Sequence, residues 1–201
     1  MNNDEYRTIA GESKGIFRDR GSKFIALAYR CSTLDKVESN LEKARKEYRD
    51  ARHHCYAYKL GVDEDSWRVN DDGEPSGSAG KPILGQISSF EVTNILIVVV
   101  RYFGGTLLGV GGLINAYRSA ARDAIENNRI IKEQLKLEMS IHFPYASMND
   151  VMKIIKEENL EQNNQVFEMN CSIDLKFRLS LKEKVLGRLS KVEGLKIIHP
   201  E

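Results

Sequence analysis

Between Asn94 and Phe103 the chain reads Asn-Ile-Leu-Ile-Val-Val-Val-Arg-Tyr-Phe. This run of apolar, mostly β-branched residues from Ile95 to Val100 predicts a central strand buried on both faces. Upstream, Tyr6 to Ala10 and Lys23 to Cys31 read as strands joined by the turn-rich Arg18-Asp19-Arg20-Gly21-Ser22. Leu34, Val37, Leu41, Ala44 and Tyr48 recur at helical spacing behind Thr33, which predicts an exposed helix over Thr33 to Asp50 with Thr33 as its cap. His53 to Leu60 alternates as a strand does, and Asp63-Glu64-Asp65 reads as a turn. Short and longer helices are predicted at Ile83 to Phe90 and at Leu113 to Asn128.

Beyond residue 134 the pattern changes. Glycine falls to two, Gly187 and Gly194. The periodicities predict a strand (Leu137 to Phe143), a helix (Met148 to Glu158), two strands (Gln165 to Leu179), a helix (Leu181 to Val192) and a strand (Leu195 to His199). That order is βαββαβ, the ferredoxin-like arrangement. The expected fold class is α+β in two domains, residues 1–134 and 135–201.

Charge narrows the partner classes. The chain has 201 residues and a net charge of +1, with 20 basic and 19 acidic side chains up to residue 134 and 10 of each after it. Neither part is a basic module, so a grip on nucleic acid has to come from a local cationic face. Cys31, Cys55 and Cys171 are scattered without metal-ligand spacing, which suits a reducing compartment. The N-terminus is acidic and the longest apolar run is far short of a membrane span. A cytoplasmic protein with no membrane association and no cofactor is expected.

Nine of the 15 glycines lie between residues 70 and 117. Dense glycine signals positive φ or close backbone approach. Gly104 and Gly109 have the spacing of a phosphate loop, but Val-Gly follows where Lys-Ser/Thr is needed; Gly109 and Gly111 lack the third glycine of a dinucleotide fingerprint, Ile114 standing there. An anion site at the start of the following helix or a tightly packed turn both remain open. Asp71, Asp72 and Glu74 can cluster around Mg²⁺ or simply form turns. On a strand, His53 and Cys55 share one face while His54 takes the other, which falls short of a zinc site. Arg101, Tyr102 and Phe103, with Tyr117, Arg118 and Arg122, offer aromatic and cationic groups for bases and phosphates, or pack as core with solvated arginines. Arg45, Lys46, Arg49 and Arg52 are interleaved with acids and read as a solvated face.

Three segments together resemble the YigZ/IMPACT family: His53-x-Cys55-x-Ala57-Tyr58, then Asn70-Asp-Asp-Gly-Glu-Pro-Ser-Gly-Ser-Ala-Gly-Lys-Pro-Ile-Leu84, then Val98-Val-Val-Arg-Tyr-Phe-Gly-Gly-x-x-Leu-Gly-x-Gly-Gly-Leu-x-x-Ala-Tyr117. The resemblance implies that the first domain is a two-layer α/β sandwich similar to domain IV of elongation factor G and to a small-subunit ribosomal protein. It implies that the tail is similar to the C-terminal domain of the same factor. Eukaryotic relatives regulate translation, largely through an extra N-terminal domain. Ser78 stands where Thr is common, and Leu107 and Asn115 stand where relatives often carry Lys or Arg. A non-catalytic, translation-associated protein binding RNA or a ribosomal surface is therefore expected. The expected binding set is His53, Asp71, Asp72, Glu74, Ser78, Lys81, Arg101, Tyr102, Gly104, Gly105, Gly109, Gly111, Gly112, Tyr117 and Arg118. Two alternatives stay open: an enzyme for a small anionic or phosphorylated substrate, with the acidic cluster holding a metal or acting as acid and base and His53 assisting, and a module that binds a protein partner.

Overall fold

The computed structural model describes residues 4–62 and 66–198, so the expected turn at Asp63 to Asp65 and the end of the strand expected to reach His199 lie outside the described residues. Two compact units divide the chain: Tyr6–Glu133, and Gln134 onward together with the residues that enter the first strand.

The first unit contains β1 (Glu5–Ile9), β2 (Ser13–Asp19), β3 (Ser22–Arg30), α1 (Leu34–Glu47), β4 (His53–Lys59), β5 (Trp67–Asn70), α2 (Gly80–Ser89), β6 (Ile95–Tyr102), α3 (Gly109–Glu126) and β7 (Ile130–Gln134). Strands β2-β3-β6-β4-β5 form one sheet, and β1 pairs with β7 in a second of two strands. Every pairing in the larger sheet is antiparallel. As its unbroken apolar run predicts, β6 is central and buried from Ile95 to Val100. Its side chains alternate: Ile95, Ile97 and Val99 join a core with α2 and α3, while Leu96, Val98 and Val100 join one with α1. Helices therefore cover both faces of the sheet, one layer more than the expected sandwich. Burying both faces is the solution for a strand with no polar side.

Local chemistry explains the boundaries. Thr33 caps α1 by accepting the backbone N–H of Lys36 (3.4 Å), and Val37, Leu41 and Ala44 form its buried stripe. Arg20 and Gly21 turn β2 into β3 with φ of 45° and 78°, the positive pair that a two-residue hairpin needs. Three strands lie outside the expected elements, β2, β5 and β7, because each carries only two large apolar residues, too few to show a period. All are short or at an edge, where one side faces solvent. Helix α3 begins four residues before the expected start, so Gly109, Gly111 and Gly112 form its first turn and not a loop.

Gly15 shows why β2 carries a glycine. A Cβ there would lie 2.3 Å from the backbone N of Ala124 and 2.6 Å from the Ala120 carbonyl oxygen. Strand and helix backbones meet at this point, and neither is a flexible side chain. Gly15→Ala should destabilise the unit by about 1–3 kcal/mol, measured by thermal unfolding; an unchanged midpoint would contradict this packing.

The second unit contains β8 (Lys136–Pro144), α4 (Met148–Glu157), β9 (Glu161–Val166), β10 (Asn170–Arg178), α5 (Lys182–Leu189) and β11 (Lys196–Ile198). Its sheet runs β11-β8-β10-β9, antiparallel throughout. This is the βαββαβ order that the periodicities predict. Met139, Ile141 and Phe143 of β8 and Cys171, Ile173, Leu175 and Phe177 of β10 pack against Val151, Ile154 and Ile155 of α4 and Val185 and Leu189 of α5.

Candidate functional site

The two glycine-rich segments meet around the end of β6, held by side chains that turn inward. Asp71 is the organiser of the first. Its Oδ1 accepts the backbone N–H groups of Ala79 (3.0 Å) and Gly80 (2.8 Å), and its Oδ2 accepts that of Gly77 (2.7 Å). These are donors that a helix start leaves open, and a carboxylate is their natural acceptor. Burial pushes the Asp71 carboxyl up, but the N–H bonds from Gly77, Gly80 and Ala79 outweigh it and hold the group below its ordinary value. Asp72 adopts a positive φ of 42°. Its carboxylate accepts the His54 N–H (2.6 Å), and its carbonyl accepts from His53 Nδ1 (2.7 Å). Ser78 is buried and donates to the Pro75 carbonyl (2.6 Å), so its hydroxyl serves the turn.

Glu74 lies at the centre of a buried polar network. It accepts from Arg101 Nη1 (2.6 Å) and from the Tyr117 hydroxyl (2.8 Å). Cys55 donates to the Asp71 carbonyl (2.9 Å) and lies 3.3 Å from the Tyr117 oxygen. The Tyr117 ring meets Phe24 edge-on at 5.1 Å. The Arg101 guanidinium carbon sits 5.6 Å from the ring centres of both Phe24 and Phe103. Burial pushes the Cys55 thiol up to about 12, with Glu74, Asp72 and Asp71 adding to it against the Tyr117 bond, so it is no thiolate nucleophile. Burial, then Cys55 and Glu74, push the Tyr117 phenol far above its usual range, and it stays a donor.

The inward-facing groups change the roles expected of several residues. Tyr117 is fully buried and has no face to offer a base. Arg101 is 8% exposed and already paired with Glu74, so it is not a free cation. Asp71 spends both carboxylate oxygens on backbone donors, while Asp72 commits Oδ2 and Glu74 commits Oε1. Among the described residues no three His, Cys, Asp or Glu side chains gather as metal ligands. The amides at the start of α2 face Asp71, and that of Gly104 donates to the Ser22 hydroxyl (3.1 Å). Gly104 is required because a Cβ would fall 1.9 Å from the Gly21 carbonyl carbon. The hairpin turn of β2 and β3 thus braces the second loop.

Concave surfaces lie open beside these segments. A cleft of about 450 Å³ is lined by Asp50, Ala51, Arg52, His53, Arg101, Tyr102, Phe103 and Leu107. A groove of about 420 Å³ between α2 and α3 is lined by Gly77, Lys81, Pro82, Gly85, Gln86, Ile114 and Arg118. Lys81 and Arg118 are both exposed there, and neither forms an ion pair among the described residues. The structure thus joins His53, Asp71, Asp72, Glu74, Arg101 and Tyr117 in one network, sets Tyr102 at the cleft, and leaves Lys81 and Arg118 in the groove. Gly105 is exposed at the loop tip with φ 87°.

Leu107, Arg52 and Asp50 lie outside the expected binding set, as does Phe103, which the sequence offers either for stacking or for the core; all four line the cleft. The signal for Phe103 was in the strand period: residues 95, 97, 99 and 101 face α2 and α3, and 103 continues that series past the strand end. There it stays 56% exposed, and Leu107 is 82% exposed.

Comparison with known proteins fits this geometry. The Impact N-terminal domain family matches residues 20–125, which span both glycine-rich segments. An IMPACT family member from Haemophilus influenzae is 33% identical, over 90% of this chain and 94% of its own. The IMPACT family member YvyE of Bacillus subtilis is 30% identical over 90% of this chain and 81% of its own. A solved structure of a hypothetical protein is 26% identical, superposes with a TM-score of 0.75 and covers 98% of each chain. Among the described residues no helix is long and apolar enough to cross a membrane. With its signature segments gathered at one end of a sheet and its similarity running through both units, the chain belongs to the IMPACT family.

Proposed function

We propose that this protein is a non-catalytic, translation-associated RNA-binding protein that meets RNA, free or on a ribosomal surface, around the end of β6. The observation that carries this reading is the pairing of two exposed cations that form no ion pair among the described residues, Lys81 and Arg118, in one groove with exposed Phe103 and Leu107 on the loop of the neighbouring strand. Cations without carboxylate partners are the groups that phosphates can engage at least cost. Exposed aromatic side chains are the groups on which bases stack. The family resemblance supports a role in translation. The enzyme reading is weakened by the bonds that turn Asp71 and Glu74 inward and by the lack of a metal-ligand cluster among the described residues.

The test is titration of labelled rRNA fragments at two salt concentrations. Wild type should bind at low salt and weaken as salt rises. The Lys81→Ala/Arg118→Ala double variant should bind less tightly, with the salt slope reduced by about 0.7 for each phosphate contact removed. No binding at low salt would refute the proposal.

A further inference from the structure

We infer that the cleft at the end of β6 seats one unpaired nucleobase, so that the chain takes RNA as a single strand in preference to a duplex; this rests on the RNA reading above. The cleft's volume of about 450 Å³ lies within the rough range of 300–1,000 Å³ for small-molecule sites. One wall is the exposed ring of Phe103, with Leu107 projecting at the same loop. A base has an apolar face and a polar edge, and the cleft offers both. Phe103 meets the face by stacking.

The edge finds donors and acceptors. His53 is bound through Nδ1 to the Asp72 carbonyl and keeps Nε2 for a second partner. Asp50 accepts from the Tyr102 hydroxyl (2.7 Å) and has further lone pairs for an exocyclic amine. Arg101 also lines the cleft, but its Nη1 is committed to Glu74 and its Nε is sealed from solvent, so the base edge falls to His53 and Asp50.

The flanking backbone also has a path. Arg52 stands at the cleft and is exposed. One position before Asp50, Arg49 belongs to the next concave surface, which Arg45, Lys46 and Glu42 share. Lys46 is partly neutralised by Glu42 (3.4 Å), which leaves Arg45, Arg49 and Arg52 for phosphates. A base inside a duplex is stacked and paired, and extruding it costs free energy. The cleft therefore selects single strands.

The experiment is fluorescence anisotropy at low salt with the full chain, a labelled short single strand of mixed sequence, and the same sequence as a blunt duplex. Wild type should hold the single strand about tenfold tighter than the duplex, and Phe103→Ala should lose about tenfold on the single strand only. Phe103→Trp should keep the affinity, since it keeps the ring. Phe103→Ala also removes one of the two rings beside Arg101, so an unchanged thermal midpoint and full affinity in Phe103→Trp separate a lost stacking surface from a disturbed fold. Equal affinity for strand and duplex, or an unchanged Phe103→Ala, would overturn the base seat while leaving RNA binding intact. Binding of neither RNA would remove both readings and leave Phe103 and Leu107 to a protein partner.

Discussion

Glu74→Ala should destabilise the first unit by about 3–5 kcal/mol, because it leaves a buried charge without its counter-ion. Arg101 is 8% exposed and lies between two aromatic rings, so water cannot take the place of the carboxylate. Tyr117 loses its acceptor in the same substitution, and an unpaired buried hydroxyl adds a further penalty. The loss compares with a whole-domain stability of about 5–15 kcal/mol. Urea denaturation of the full chain measures it. Replacing both partners, Glu74→Met with Arg101→Met, should recover much of the loss, since well-packed apolar residues often match a buried pair. A loss below about 1 kcal/mol would mean that the pair behaves like a surface ion pair and does not hold the two glycine-rich segments together.

The second large effect concerns acid. Asp71→Asn should cost about 3 kcal/mol at neutral pH, because the amide cannot accept on both atoms and its NH₂ faces the Gly77 N–H. The pH dependence has a definite sign. The folded state holds the Asp71 carboxyl below its ordinary value, whereas the unfolded chain titrates near about 3.9. The contribution is therefore complete above about pH 4 and lost as pH falls through the folded-state pKa. Wild-type and Asp71→Asn stability curves should converge in acid and separate toward neutrality. Parallel curves would show that Asp71 does not act as the charged cap of α2.

The elements visible in the sequence are those with long, consistent periodicity. Strand β6 announced itself through six apolar residues, and α1 through its buried stripe behind Thr33. The ferredoxin-like order of the second unit was legible for the same reason. Strands β5 and β7 were not, because four or five half-exposed residues carry no distinctive period. Glycine hid the start of α3: Gly109, Gly111 and Gly112 disfavour a helix intrinsically, and tertiary packing overrides that preference.

The site was legible as a neighbourhood and less so as chemistry. That the segments around His53, Asp71 and Arg101 come together followed from their composition and from the family resemblance. Which groups face outward did not. Arg101 fits a phosphate contact or a solvated cation by sequence, yet its partner Glu74 lies 27 residues away and the pair is buried. Phe103 fits either stacking or core packing by sequence, and it stays 56% exposed just past the strand end. Burial of a charge and exposure of a ring are tertiary facts with no local signal.

The most direct test is ultraviolet cross-linking of the full chain to a photoreactive single-stranded RNA, with the attachment sites read by mass spectrometry. Cross-links should fall on the segment holding Tyr102, Phe103 and Leu107, with further contacts at Lys81 and Arg118. Cross-links confined to residues 135–198, or none at low salt, would contradict the assignment of RNA binding to the end of β6.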